Sequence, residues 1–362
     1  MRESNRRTTT RLPRVHFRLI VAFHGFRFAE SSRILPRMTS GKTLLVLNPT
    51  AGKGRAGMHR LEIEAALARH GLVFDTVLTT GPWHAAELAR GASLAGYALL
   101  VAAGGDGTLN EVINGLMLCK QDGGRPPALG VLPVGRGNDL AYGMGVPMEL
   151  QEAALAIASK PSAPFDVGFV RGGDYPEGRW FGNGVGIGFD ARVGFAAAGF
   201  RHLHSSLTYT VGALKVFALF PEAPEVTIRS ATLTYEGPCH QISIMNGSRM
   251  GGSYYMAPDA KVDDGHLDLC IVGKMSRLEM AGIIIRYTKG SQKGHPKVRM
   301  ELATAVSIEA PNGGLAVHAD GETICENGKH IQIECVAGAL EAHGLGHRGL
   351  KDGDVDRSGS TR

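Results

Sequence analysis

The chain has 362 residues, of which 43% are hydrophobic and 20% charged, an ordinary globular balance with room for two cores. Its five cysteines (Cys119, Cys239, Cys270, Cys325, Cys335) form no C-x-x-C pair, which argues against a zinc site and for buried thiols in a reducing compartment. Nine arginines and two glutamates give residues 1–37 a net charge of +7, so the total of +5 leaves −2 for the rest, a nearly neutral surface that argues against nucleic acid.

The arginine-rich extension, 1–37, reads as disordered, as a targeting or lipid-contacting arm, or as sequence upstream of a start at Met38. A signal peptide fits poorly, because the apolar part, Leu19 to Phe23, is short and ends at His24. No run reaches the ~18–20 apolar residues of a membrane span. The nearest, Val211 to Phe220, contains Lys215. The expectation is a soluble, cytoplasmic chain with at most a peripheral membrane contact.

Thr43–Leu47 is the first buried-strand pattern, closed by Asn48, Pro49, Thr50, Ala51, Gly52, Lys53 and Gly54. This is not a Walker loop, yet backbone donors and Lys53 are the parts of an anion site; a plain surface turn is the alternative. A helix up to Gly71, a strand over 73–78 ending near Thr80, and a helix over 84–92 follow.

Tyr97–Ala103 is a second buried strand, and it runs into Gly104, Gly105, Asp106 and Gly107. Thr108 and Glu111 have the spacing of a capping box, with Val112, Ile113, Leu116 and Met117 as the apolar helix face. A glycine turn at a helix start suits a phosphate, provided a cation stands between it and Asp106. A third such turn, Gly135, Arg136, Gly137, Asn138 and Asp139, follows the strand Ala128–Leu132. This alternation predicts a parallel sheet with helices on both faces over 38–164, with ligands beyond the carboxyl ends of the strands. The G-x-G-x-x-G fingerprint is absent; Gly182 to Gly188 alternates instead.

After Pro164 the pattern becomes β-rich, with strands expected at 179–185, 225–235, 241–245, 267–272, 298–302, 305–309, 315–319 and 331–336. Alternation over Val226–Tyr235 predicts an antiparallel, half-exposed sheet, and Ser276 with Glu279 marks the cap of one helix. The second domain, 165–340, is read as an antiparallel β-sandwich, followed by a polar tail over 341–362, with a cleft between the domains. Four aspartates between Asp259 and Asp268 surround an Asp-Gly turn, which is either a site for a hard cation or an ordinary hairpin. Asp320 and Glu322 share one face if that segment stays extended; they are either a carboxylate pair at a cleft that could deprotonate a hydroxyl, or part of an ordinary surface hairpin.

Five motifs, Asn48–Lys53, Gly104–Glu111, Gly135–Asp139, Asp259–Asp268 and Asp320–Glu322, together resemble the diacylglycerol kinase catalytic family, in the family's order from Thr43 to Val336. The resemblance implies an α/β domain like that of NAD kinases and phosphofructokinases, a lipid-binding β-sandwich, and phosphoryl transfer from ATP to a lipid hydroxyl, most simply that of diacylglycerol. It implies that Asn48, Pro49, Thr50, Ala51, Gly52, Lys53, Thr80, Gly104, Gly105, Asp106, Gly107, Thr108, Leu109, Asn110, Gly135, Arg136, Asn138 and Asp139 hold the nucleotide. Glu322 matches the general base of the bacterial enzymes, and Asp106 the base of the sphingosine kinase branch. Lys261, Asp264 and His266 match a structural magnesium site in which lysine and histidine give backbone carbonyls. Arg136 departs from the family's usual Thr or Ser, either adding a phosphate contact or crowding the nucleotide. ATP and Mg2+ are the implied cofactors, a membrane lipid the implied partner, and a homodimer is compatible with exposed sandwich edges. The rival readings are an NAD kinase-like phosphotransferase and a catalytically silent nucleotide- or lipid-binding regulator.

Overall fold

The computed structural model describes residues 42–198, 212 and 214–346. The basic extension, most of the polar tail and part of the apolar stretch before Phe220 lie outside the described residues.

The first half is a parallel sheet in the order β2-β1-β3-β4, built from β1 (Lys42–Leu47), β2 (Phe74–Leu78), β3 (Tyr97–Gly104) and β4 (Ala128–Pro133). Leu44–Leu47 and Leu100–Ala103 are fully buried, as an apolar strand covered on both faces must be. The helices are α1 (Arg55–Met58), α2 (Arg60–Arg69), α3 (His84–Leu94), α4 (Asp106–Gln121), α5 (Asp139–Gly143) and α6 (Leu150–Ser159).

The expected capping box at Thr108 does not form. Helix α4 begins three residues earlier, at Asp106, with Gly105 as N-cap and no side-chain cap. Thr108 is already inside the helix, where its hydroxyl accepts from Asn48 Nδ2 (2.9 Å). Glu111 reaches sideways instead and accepts from Ala85 N–H (3.2 Å) in the first turn of α3. Its charge favours the positive end of a neighbouring helix rather than its own.

The second half is an antiparallel sandwich. Its strands are β5 (Ser162–Gly172), β6 (Tyr175–Phe181), β7 (Gly184–Gly188), β8 (Glu225–Arg229), β9 (Thr234–Met245), β10 (Leu267–Gly273), β11 (Val298–Ala303), β12 (Ala305–Glu309), β13 (Leu315–Ala319), β14 (Glu322–Gly328) and β15 (His330–His343). Strand β9 serves both layers: its first part pairs with β8 and its second with β7 and β10. Val226 and Ile228, with Val185, Ile187, Ile242, Leu269 and Ile333, fill the space between the layers. A third core lies outside the β9–β10 layer, under α7 (Phe189–Ala198), α8 (214–219) and α9 (Arg277–Lys289). The Ser276–Glu279 capping box of α9 is present with both of its hydrogen bonds.

Three expected strands change. The stretch 225–235 is two strands, because Ser230–Leu233 makes a tight turn closed by Ser230 N–H to Leu233 C=O (2.8 Å). The stretch 179–185 breaks at Gly182–Asn183 into β6 and β7. Strand β15 runs to His343, and its far end meets β4 through Ala342 and Leu129. The register of β15 on β5 shifts between Val336 and Leu340. Strands β5 and β14 carry no clean alternation and were not anticipated.

Candidate active site

Three turns meet at the carboxyl ends of β1, β3 and β4. In the first, Asn48 Oδ1 accepts from the N–H and hydroxyl of Thr50 (3.0 and 2.8 Å), while its Nδ2 reaches Thr108 in the second. Gly52 has φ +61°, and a Cβ there would lie 2.8 Å from the Val134 carbonyl of the third turn. A Cβ on Gly135 would overlap the Gly105 Cα. Only glycines let these backbones approach so closely. The first N–H groups of the 16-residue α4 carry no side-chain cap and open toward this junction.

Around it, Gly104 and Thr108 are buried, Gly107 is exposed, and Leu109 packs into the hydrophobic core. Pro49 C=O accepts from Gly57 N–H (3.1 Å), and Ala51 packs against the core. Lys53 and Arg136 are exposed cations at the edge of the junction. Thr80 N–H donates to His84 Nδ1 (3.0 Å) at the start of α3. Asn138 has its side chain engaged inside its own turn, accepting from Gly135 N–H (3.0 Å).

Asp106 accepts from Leu140 N–H (3.0 Å). Burial raises its proton affinity and the nearby Asp320 charge adds to it, while the amides of Leu140, Asn138 and Asp139 oppose. Asp139 is pushed up to about 6 by burial and then by the Asp106 charge, with Arg249 opposing. Arg249 was not singled out in the sequence. Its Nε donates to Asp139 Oδ1 (3.0 Å), its Nη2 to Gly137 C=O (3.2 Å), and its guanidinium lies 3.7 Å from the centre of the Tyr142 ring. Asp139 also accepts from Gly252 N–H (2.9 Å to Oδ2). It therefore joins the two halves of the chain.

The segment 319–322 does not stay extended. Ala319 pairs with Glu322, and Asp320 (φ +47°) and Gly321 (φ +85°) form a two-residue hairpin turn with both residues left-handed. Asp320 and Glu322 consequently diverge. Asp320 points inward and accepts four hydrogen bonds, from Gly182 N–H (2.7 Å), Asn183 N–H (3.0 Å), Gly184 N–H (2.9 Å) and Asn110 Nδ2 (2.9 Å). Glu322 stays 55% exposed, with its Oε2 4.0 Å from Arg179 Nη1. Arg179 and Asn183 were also missed: Arg179 lies inside a strand, and Asn183 in a glycine-rich stretch that lacks the dinucleotide fingerprint.

The donor chemistry around Asp106 fits magnesium. Its carboxylate is a hard oxygen ligand, and its raised proton affinity marks surplus negative charge that a divalent ion would relieve. Asp320 is already saturated, so phosphate oxygens and water would complete the shell.

The acidic loop lies elsewhere. Lys261 and Asp264 are exposed and His266 half-buried; Asp264 Oδ1 accepts from His266 N–H (3.0 Å). Asp166, on β5, anchors the loop by accepting from Gly265 N–H and Gly338 N–H (2.6 Å each). Burial, then the charges of Asp264 and Asp259, push Asp268 up to about 7, again a surplus that a cation would relieve. Among the described residues no three His, Cys, Asp or Glu side chains gather for a metal, so a cation here would rely on backbone carbonyls.

The diacylglycerol kinase catalytic domain model matches residues 42–170, and the YegS C-terminal NAD kinase beta sandwich-like domain model matches 183–343. A Staphylococcus aureus (strain bovine RF122 / ET3-1) protein named diacylglycerol kinase is 30% identical, covering 77% of this chain and 85% of its own. A Xanthomonas campestris pv. campestris (strain 8004) protein named "Probable lipid kinase YegS-like" is 29% identical, covering 83% and 94%. The solved structure of a diacylglycerol kinase from Bacillus anthracis str. Sterne superimposes with a TM-score of 0.64 at 24% identity, over 83% and 96% of the two chains, a likeness of fold.

Proposed function

The chain belongs to the diacylglycerol kinase catalytic family, a family of lipid kinases, and from that premise we propose that it transfers the γ-phosphate of ATP to the hydroxyl of diacylglycerol, giving phosphatidic acid. One observation carries the reading. The junction of three glycine turns and the Asp320–Glu322 hairpin of the other domain are tied together by the Asn110–Asp320 bond (2.9 Å). That tie supports reading the turns as the anion site and the solvent-facing Glu322 of the same hairpin as the carboxylate that serves it.

Phosphoryl transfer needs positioning and charge neutralisation more than covalent help. The backbone N–H groups of the three turns and the N-terminus of α4 hold the phosphates, with Lys53 and Arg136 at the rim. Asp106 would hold magnesium, which, when bound, neutralises the charge of the phosphates. The lipid hydroxyl attacks the γ-phosphorus; its O–H bond breaks, a new O–P bond forms, and the bond to the bridging oxygen breaks to release ADP. Glu322 takes the proton. Asp106 is the less suitable acceptor, being enclosed by the amides of its own site. The acceptor lies in a bilayer, so the protein works in peripheral contact with a membrane; among the described residues no helix is long and apolar enough to cross one.

The test is transfer of labelled phosphate from ATP, with magnesium, to a panel of lipids in mixed micelles, with NAD alongside. Label in diacylglycerol is the expected result. Label in another lipid changes the acceptor, and label in NAD alone rejects the lipid reading.

A further inference from the structure

We propose that Arg179 is the positioning residue for Glu322, a cation locked into the cleft wall that holds the exposed carboxylate in place for the acceptor hydroxyl. The inference rests on the reading of Glu322 as proton acceptor.

Glu322 needs such a partner. It is 55% exposed at the foot of a hairpin, and among the described residues its recorded partner is the Arg179 guanidinium at 4.0 Å. A free glutamate samples several rotamers, whereas a general base must stay within hydrogen-bond reach of one proton.

Arg179 is held as rigidly as Glu322 is loose. Its side chain is only 3% exposed. Nη2 donates to Asn110 Oδ1 (2.7 Å) on α4, and Nη1 donates to Tyr175 OH (3.3 Å) on β6. The guanidinium lies 4.7 Å from the centre of the Trp83 ring, at the start of α3, and 5.6 Å from that of Tyr175. Three elements thus hold the fork, and its Nη1 edge is the one that lies 4.0 Å from Glu322 Oε2. Asn110 is shared: it accepts from Arg179 and donates to Asp320. The two carboxylates flanking Gly321 are therefore both referenced to one side chain of α4.

The charges point the same way. Glu111 lies near enough to Glu322 for the two to repel, and Arg179 offsets that repulsion. Without the cation, the exposed carboxylate is the one free to swing into solvent. Lysine supplies the charge without the planar fork that reaches Asn110, Tyr175 and Glu322 together.

The test uses the full chain with Arg179→Met, Arg179→Lys, Glu322→Gln and the double variant Arg179→Met/Glu322→Gln, with melting checked for each. Displacing a base that contributes about 100-fold or more should lower kcat at least about tenfold in Arg179→Met. KM for ATP should stay within about twofold, and Arg179→Lys should recover part of kcat. In the Glu322→Gln background the Arg179 change should cost less than about twofold. If Arg179→Met does not fold, Arg179→Lys must still show lowered kcat at unchanged KM. A rise in KM for ATP matching the fall in kcat, or equal losses in both backgrounds, would overturn the inference while leaving the role of Glu322 intact. Wild-type turnover in Glu322→Gln would instead remove the reading on which it rests.

Discussion

Asn110 Nδ2 donates to Asp320 Oδ2 at 2.9 Å across 210 residues of sequence, and this bond joins the helix of the phosphate turn to the hairpin of the opposite domain. Asn110 is 1% exposed, so water does not readily take the place of its partners.

Replacing Asn110 by Ala leaves Asp320 short of one of its four donors and Arg179 short of the nearer of its two acceptors. Both are charged, Arg179 is buried and Asp320 half-buried, so the loss should be about 1–3 kcal/mol of stability in urea unfolding. Turnover should fall more steeply than ATP affinity, since the turns themselves remain. Unchanged stability would show that the two halves hold together without this contact.

Gly135→Ala tests the junction of the turns. The added methyl overlaps the Gly105 Cα, which is backbone and cannot rotate away. The turns must separate, at a cost of about 1–3 kcal/mol. ATP binding by calorimetry should weaken at least about tenfold, with secondary structure retained. Wild-type affinity would place the nucleotide away from this junction.

The strands of the parallel sheet and all three glycine turns were legible in the sequence, because continuous apolar runs and glycine clusters are local signals. Ser276 and Glu279 announced a real cap for the same reason. Thr108 and Glu111 had identical spacing but satisfy Asn48 and Ala85, which lie 60 and 26 residues away. Arg179 and Arg249 escaped notice because they reach Asn110 and Asp139 in the other half of the chain, and Asn183 because its partners, Asp320 and Arg249, are 137 and 66 residues away. Asp320 and Glu322 were found, but their divergence depends on a left-handed turn that an extended reading inverts.

Asp268 makes stability depend on pH. Its carboxyl is raised from the ordinary range to about 7, by burial first and then by Asp264 and Asp259. Between about pH 4 and 7 the folded protein binds the extra proton, so stability falls as pH rises through that window. Asp268→Asn, which keeps the shape without the charge, should therefore melt higher than wild type at pH 8 and nearly alongside it at pH 5. Each kcal/mol corresponds to roughly 2–4 °C. Added magnesium at pH 8 should narrow the gap if the acidic loop binds it. Parallel melting curves for the two proteins at both pH values would show that Asp268 carries no such penalty.

The central claim is phosphoryl transfer at this cleft with Glu322 receiving the proton. The most direct measurement is single-turnover transfer from labelled ATP to diacylglycerol by wild type and by Glu322→Gln, with ATP affinity measured in parallel. The predicted result is transfer by wild type and a loss of about 100-fold or more in the variant, at an ATP affinity within about twofold. Wild-type protein that binds ATP but labels no lipid, or a variant that transfers at the wild-type rate, would contradict the account.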